Sequence, residues 1–267
     1  MIRGAAVAGS FYAGTRERLR AQVDALRPKG AAPRGAIAAV VPHAGYMYSG
    51  QVAAAVYAQV ARPDTWVILG PNHTGLGAKA SIMTSGAWET PLGAMTIDTE
   101  LAQAILAGSS NLREDHLAHA REHSIEVQLP FLQREATPSA LVPIALFAHD
   151  YAACRDVGLA VATAIRSTGR RAVLVASTDM SHYVSRSVAA TQDRKAIDAM
   201  LALDPEELHR VVRREGISMC GFHAATAVLV AAKTLGAASA ELVAYTDSGT
   251  VTGETTEVVA YAGLVIR

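Results

Sequence analysis

Three short, almost unbroken apolar runs constrain this chain most: GAIAAVV at 35–41, TWVIL at 65–69 and RAVLVA at 171–176. Each is strand-length and lacks the polar alternation of a strand with one wet face, so each demands burial on both faces. Helical patterns lie between them at 51–60 and 156–165, and another follows at 188–201. Asp98 suits an N-cap for a helix through residue 105, with Glu100 in its first turn. Asp204-Pro205-Glu206-Glu207 supplies an N-cap, a first-turn Pro and a Glu at N3, and Gly216 stops that helix. Residues 123–133 read as a further helix. The segment ALVPIALF at 140–147 is strand-like, and Pro143 directs it to an edge or a bulge. Strands at 241–245 and 258–266 end the chain. Strand–helix alternation predicts an α/β fold with a mainly parallel central sheet and helices on both faces. No repeat, charge block or Ser/Gly tract divides the sequence, which implies one domain over 1–267.

Charge removes several function classes. Lys+Arg and Asp+Glu are equal at 24 each, with no basic run, so a nucleic-acid footprint is not expected. Hydrophobic residues make up 51% and charged residues 18%, ample for a large core. No apolar run reaches the ~18 residues of a membrane helix. The opening MIRGAAVAGSFYAG is too short and too interrupted by polar residues for a secretory core. With two cysteines, Cys154 and Cys220, a cytoplasmic protein without a structural disulfide is expected.

The histidines fall at strand ends. GAIAAVV runs into Pro42-His43-Ala44-Gly45, TWVIL into Gly70-Pro71-Asn72-His73, and RAVLVA into Ser177-Thr178-Asp179-Met180-Ser181-His182. His149 follows the fourth, strand-like run. Parallel strands deliver such residues to one edge, where open α/β sheets bind ligands. A lone loop histidine is more often a solvated or capping group; imidazole at three strand ends points to a shared site. His119 and His123 stand four apart in HAREH, which lacks the HExxH arrangement of a metalloprotease helix. His116 and His119 read as exposed, and His209 as a surface residue on a polar helix.

Two imidazoles and one anionic donor make a common catalytic metal site. Asp179 and Glu126 are the carboxylate candidates and Cys220 the thiolate candidate. In ISMCGFHAA, Cys220 stands where one helix has ended at Gly216 and the next begins, a position that favours thiolate. His223 lies one turn on, open between pocket wall and packing. Cys154, in an Ala-rich helical stretch, reads as packing. Asp179 and His182 form Asp-x-x-His, suited to a carboxylate orienting a general base. No phosphate loop, GxGxxG after a strand or GxSxG elbow is present. A Cys–His hydrolase built on Cys220 is a weaker alternative because it gives His43 and His73 no role.

The stretches AVAGSFY, VVPHAGYMYSG, ILGPNH, WETPLG, EHSIEVQLPF, STDMSHY, MCGFHAA and AYAGLVI resemble the Memo family, also called AmmeMemoRadiSam system protein B, in order and over nearly the whole chain. The resemblance implies a fold like that of the class III extradiol ring-cleaving dioxygenases, which hold Fe(II) with two histidines and a glutamate. Carried over, His43 and His73 match the metal histidines and Cys220 the third metal position. His123, Asp179 and His182 match polar pocket positions, His182 being the first choice for acid/base and His123 the second. Fe(II) is the expected ion, with Cu or Zn as alternatives, because sulfur in place of carboxylate softens the site. The resemblance implies dioxygenase-type oxidoreductase chemistry on a small catechol-like or diol substrate. It equally allows a non-catalytic scaffold that works with AMMECR-type and radical SAM partners. Tyr46, Tyr183, Phe11 and Tyr12 are expected to shape the pocket.

Overall fold

The computed structural model describes residues 1–30, 32–133 and 139–267. In chain order its elements are β1 (Ile2–Arg3), α1 (Arg16–Leu26), β2 (Ala38–Val41), α2 (Tyr46–Tyr57), β3 (Thr65–Pro71), β4 (Ala80–Ile82), β5 (Ala87–Thr90), β6 (Gly93–Thr96), α3 (Thr99–Gly108) and β7 (Arg113–Glu114). There follow α4 (Leu129–Leu132), β8 (Ala140–Leu146), α5 (Tyr151–Thr168), β9 (Ala172–Ser177), β10 (His182–Val184), α6 (Arg186–Leu201) and α7 (Pro205–Glu215). The chain ends with α8 (Phe222–Leu235), β11 (Ala240–Asp247), α9 (Gly249–Thr252) and β12 (Val258–Ile266).

Among the described residues, nine strands form one mixed sheet in the order β10-β12-β2-β9-β3-β8-β4-β7, with β11 also pairing β12. The centre, β2-β9-β3-β8, is parallel. It consists of the apolar runs, buried as their composition requires. β12, β11 and β4 extend it antiparallel. β1, β5 and β6 form a separate three-stranded sheet. Among the described residues, no helix is long and apolar enough to cross a membrane.

Local chemistry sets the helix starts. Asp98 accepts from Leu101 N–H and Asp204 from Glu207 N–H, the caps expected from sequence. Helix α5 starts earlier than its apolar spacing suggests, at Tyr151, because Asp150 caps it on Ala153 N–H. Pro143 is not on an edge: β8 lies between β3 and β4. The registered β4 pairs stop at Ile144, so the missing N–H of Pro143 falls where that short strand ends.

Residues 123–133 do not form one helix. The chain runs irregularly to a 3₁₀ turn at Glu126–Gln128 and a single α-turn, α4. Residues 124–130 are all buried. Ser124, Glu126 and Gln128 each spend their side chains on distant partners. A helix would have turned half of these residues to solvent.

Candidate metal centre

β2, β9 and β3 are adjacent and parallel, so their C-terminal ends bring Pro42-His43, Thr178-Asp179 and Asn72-His73 together. The irregular 119–126 segment crosses this edge and adds His123. One ligand nitrogen from each of His43, His73 and His123 lies within 4.8 Å of the others, an arrangement able to hold a metal ion. The His43 ring stands nearly perpendicular to both others, at 81° and 83°, while His73 and His123 stack at 4.6 Å and 17°.

The hydrogen-bond network fixes which nitrogens are free. Ser177 Oγ donates to the Ser124 carbonyl at 2.6 Å and accepts from Gln128 Nε2 at 2.8 Å. Its hydroxyl proton is thereby spent, so His43 Nδ1, 3.0 Å away, is the donor and His43 Nε2 keeps a bare lone pair. Gln128 is itself anchored on the Pro42 carbonyl and accepts from the Tyr57 hydroxyl.

Glu122, which the sequence gives no reason to single out from its neighbours, organises the other two imidazoles. One oxygen accepts from His73 N–H at 2.5 Å. The other accepts from His73 Nδ1 and Ser124 N–H, both at 2.9 Å, and lies 3.5 Å from His123 Nδ1. Burial alone would raise this carboxyl. The bond from His73, its charge and the Ser124 N–H outweigh burial and hold it at about 2. An ionised Glu122 only accepts, so when His73 is neutral its proton sits on Nδ1 and Nε2 is the nitrogen left to bind. A carboxylate behind a histidine is the usual support for a metal ligand. Burial, with neighbouring imidazoles adding to it, drives His43 well below its ordinary range. Burial first, opposed by Glu122, brings His123 to about 4. Both are neutral at pH 7, as metal-binding imidazoles must be.

Cys220 is not part of the three-histidine cluster but touches one corner of it, with Sγ 3.3 Å from His43 Nε2. A glycine at 221 makes this approach possible, since a Cβ there would lie 2.5 Å from the Ser177 carbonyl oxygen. Gly221 is the N-cap of α8, yet the helix start does not yield a thiolate here. Burial, then the charge of Asp179, push the thiol well above its ordinary value. Asp179 does not orient His182. Its Oδ1 accepts from His43 N–H at 2.7 Å, and burial raises it to about 6. His182 Nδ1 is held instead by the carbonyls of Met180 and Ser218, at 2.7 and 2.9 Å.

Other candidates serve the scaffold. Glu126 is fully buried, ion-paired with Arg3 and accepting from Tyr12 Oη, Ala6 N–H and Val7 N–H, so it ties down the N-terminal segment. Arg3 also grips the His119 and Glu122 carbonyls. His119 is buried rather than exposed, against Trp88 and within 3.0 Å of Ser81 Oγ, and His116 is half-buried. His209 is also buried, because α7 lays its ring against Phe222 of α8. His149 and His223 pack near His209, outside the metal cluster. Phe11 covers His123 at 4.6 Å. Tyr46 is buried with its hydroxyl on the Val127 carbonyl, while Tyr183 is exposed beside His182. Cys154 is core packing.

The family profile described as Memo-like protein matches residues 3–265. The chain belongs to the Memo family. It is 41% identical over 276 residues to a MEMO1 family protein of Methanothermobacter thermautotrophicus, covering 99% of this chain and 100% of that one. A MEMO1 family protein of Methanopyrus kandleri is 42% identical over 281 residues, covering 100% and 99%. In fold, this Memo-family chain is similar to a crystal structure of an uncharacterized protein from Escherichia coli K12, at TM-score 0.52 and 14% identity over 84% of this chain and 98% of that one.

Proposed function

We propose that this Memo-family chain is a mononuclear metal-dependent oxidoreductase of dioxygenase type, with Fe(II) as its ion and a catechol-like or diol molecule as substrate. One observation carries the proposal: three clustered imidazoles, two of which commit Nδ1 to their supports, His43 to Ser177 and His73 to Glu122, and so keep Nε2 as the binding nitrogen. His43 and His73 are the proposed first two donors. Cys220 is the third. With metal–nitrogen and metal–sulfur bonds of about 2.1 and 2.3 Å, two donors on one ion sit roughly 3.1–3.6 Å apart. The His43 Nε2 to Cys220 Sγ separation is 3.3 Å. His123, stacked on His73 and with Nδ1 3.5 Å from the Glu122 carboxylate, is the proposed proton-handling member of the cluster. A bound iron would supply the redox and Lewis-acid capacity for oxygen chemistry. His123, or His182 in its place, takes the proton of a substrate hydroxyl, and Phe11 covers the His123 ring.

The test is anaerobic Fe(II) loading, metal analysis and oxygen uptake with a panel of catechols and diols. Wild type binds one iron per chain, and His43→Ala and His73→Ala lose it. Replacing iron by Co(II) gives a thiolate charge-transfer band that Cys220→Ser lacks. Iron retained by both histidine variants sinks the proposal. Iron bound without any oxygen uptake would favour the scaffold alternative, with AMMECR-type and radical SAM proteins as partners. The Cys220–His43 contact is also what a thiol hydrolase would use. That reading would leave the Glu122-supported pair, His73 and His123, without a task.

A further inference from the structure

Two tyrosines on the His182 side of the centre have no part in holding a metal, and packing does not explain how either is held. Tyr261 lies on β12, antiparallel to β2. Their register, with Leu264 opposite Val40 and Ile266 opposite Ala38, sets Tyr261 level with His43 when carried along the strand. On its other flank, Met180 N–H donates to the Ala260 carbonyl and Ala260 N–H to the Ser181 carbonyl, at 2.8 and 2.9 Å. Tyr261 therefore stands between the strand that ends in His43 and the loop that carries Asp179 and His182. A Cβ on Gly263 would meet Val52 and Val56 of α2, so Tyr261, two residues along, shares that face and lies toward the helix start that follows His43.

Tyr261 is only 2% exposed, yet its hydroxyl has no hydrogen-bond partner among the described residues. That oxygen is not sealed in, unlike the indole nitrogens of Trp66 and Trp88, so a ligand can reach it. Buried polar groups are seldom left unpaired without a reason. After burial, Asp179 is the group that most raises the phenol, and Tyr48 and Tyr183 also act on it. The hydroxyl thus faces the Asp179 corner of the centre and keeps its proton to donate.

Tyr183 shows the complementary feature. Its φ of 57° is left-handed, a conformation that a bulky side chain rarely adopts. The β10–β12 register shifts across it, between His182 and Val184, as at a bulge that re-aims a side chain. The result is a ring 74% exposed, with its centroid 5.8 Å from that of His182. No burial offsets the strain, and strain of this kind gathers at ligand sites.

We propose that Tyr261 and Tyr183 form the ligand-recognition side of the proposed metal centre: Tyr261 donates to a ligand oxygen beside Asp179, and Tyr183 covers the flat face of the ring that carries it. The proposal rests on the metal-centre reading for the identity of the site, and it specifies a planar, oxygen-bearing ring over an aliphatic diol.

The test is anaerobic titration of 4-nitrocatechol into metal-free and Fe(II)-loaded protein carrying 3-fluorotyrosine, read by absorbance and fluorine NMR, with trans-1,2-cyclohexanediol as the non-aromatic control. The two tyrosine resonances are assigned by their loss in Tyr261→Phe and Tyr183→Gly. Both are expected to move with saturable binding of one nitrocatechol per chain. Tyr261→Phe weakens that binding about tenfold with iron content unchanged, the effect of one lost hydrogen bond. Tyr183→Gly, which suits a left-handed position, also weakens it, while thermal unfolding is no lower than in wild type. The diol binds about tenfold more weakly or not at all. Circular dichroism checks folding; should Tyr261→Phe fail to fold, Tyr183→Gly and the diol comparison decide the matter. Iron held without saturable nitrocatechol binding, unchanged affinity in Tyr261→Phe, or equal affinity for the diol overturns this proposal and leaves the metal reading standing. Nitrocatechol that moves the Tyr261 resonance in a protein that holds no iron does the reverse, and absence of both overturns both.

Discussion

Replacing Glu122 by Gln tests the architecture of the candidate metal centre most directly. The shape is kept, but the charge is lost and one acceptor oxygen becomes an NH₂ facing groups that already donate. Two of those donors, His73 N–H and His73 Nδ1–H, meet the carboxylate at 2.5 and 2.9 Å in a fully buried position. The fall of this carboxyl from 4.5 to about 2 corresponds to about 3 kcal/mol of preference for the charged form. Glu122→Gln should therefore lower folding stability by about 2–4 kcal/mol at pH 7, read from urea unfolding. It should also release His73 from the tautomer that Glu122 favours and weaken metal binding roughly 10–100-fold, read by competition with a chelator of known affinity. The sign with pH follows from a depressed carboxyl. Its contribution is complete above pH 4.5 and disappears as pH falls toward 2, so wild type and variant should converge in stability over that window. Wild-type metal affinity together with wild-type stability in Glu122→Gln would refute the assignment of Glu122 as the group that positions His73 and His123.

Arg3→Met leaves Glu126 buried and unpaired, so unfolding should show a loss of about 3–5 kcal/mol, with the double variant Arg3→Met/Glu126→Gln less affected than Arg3→Met alone. Gly221→Ala should cost about 1–3 kcal/mol, because its Cβ meets the Ser177 carbonyl oxygen, and should displace Cys220, seen as loss of the Co(II) thiolate band with the histidines intact. His119 is brought from 6.5 to about 4, chiefly by burial, so the folded protein resists a proton that the unfolded chain accepts. The shift costs nothing above pH 6.5 and lowers stability as pH falls from 6.5 to about 4, by up to about 3 kcal/mol, so acid titration of stability should be shallower in His119→Gln across that interval.

Much of the frame was legible before any coordinates. Unbroken apolar runs can only be buried strands, and parallel strands send their C-terminal loops to one edge, so the convergence of His43 and His73 follows from periodicity and topology. Helix caps at Asp98 and Asp204 are local chemistry and stood out for the same reason. Residues 123–133 did not, since their spacing suits a helix. What overrides it is the set of distant partners that take Ser124, Glu126 and Gln128. The burial of His119 and His209 was equally hidden, because a histidine among charged neighbours looks solvated until a remote ring covers it.

The sequence by itself determined six of the strands, the edge at which chemistry gathers and the family. Tertiary structure alone decided the roles. Asp179 holds the backbone of His43 instead of orienting His182, Glu126 is an anchor, and Glu122, four residues earlier, carries the imidazoles. Residue type and spacing report what a side chain can donate or accept. Which partner it meets, and whether burial leaves it charged, depends on chain segments 50 to 180 positions away, roughly the span of the network joining Glu122, Ser177, His43 and Cys220.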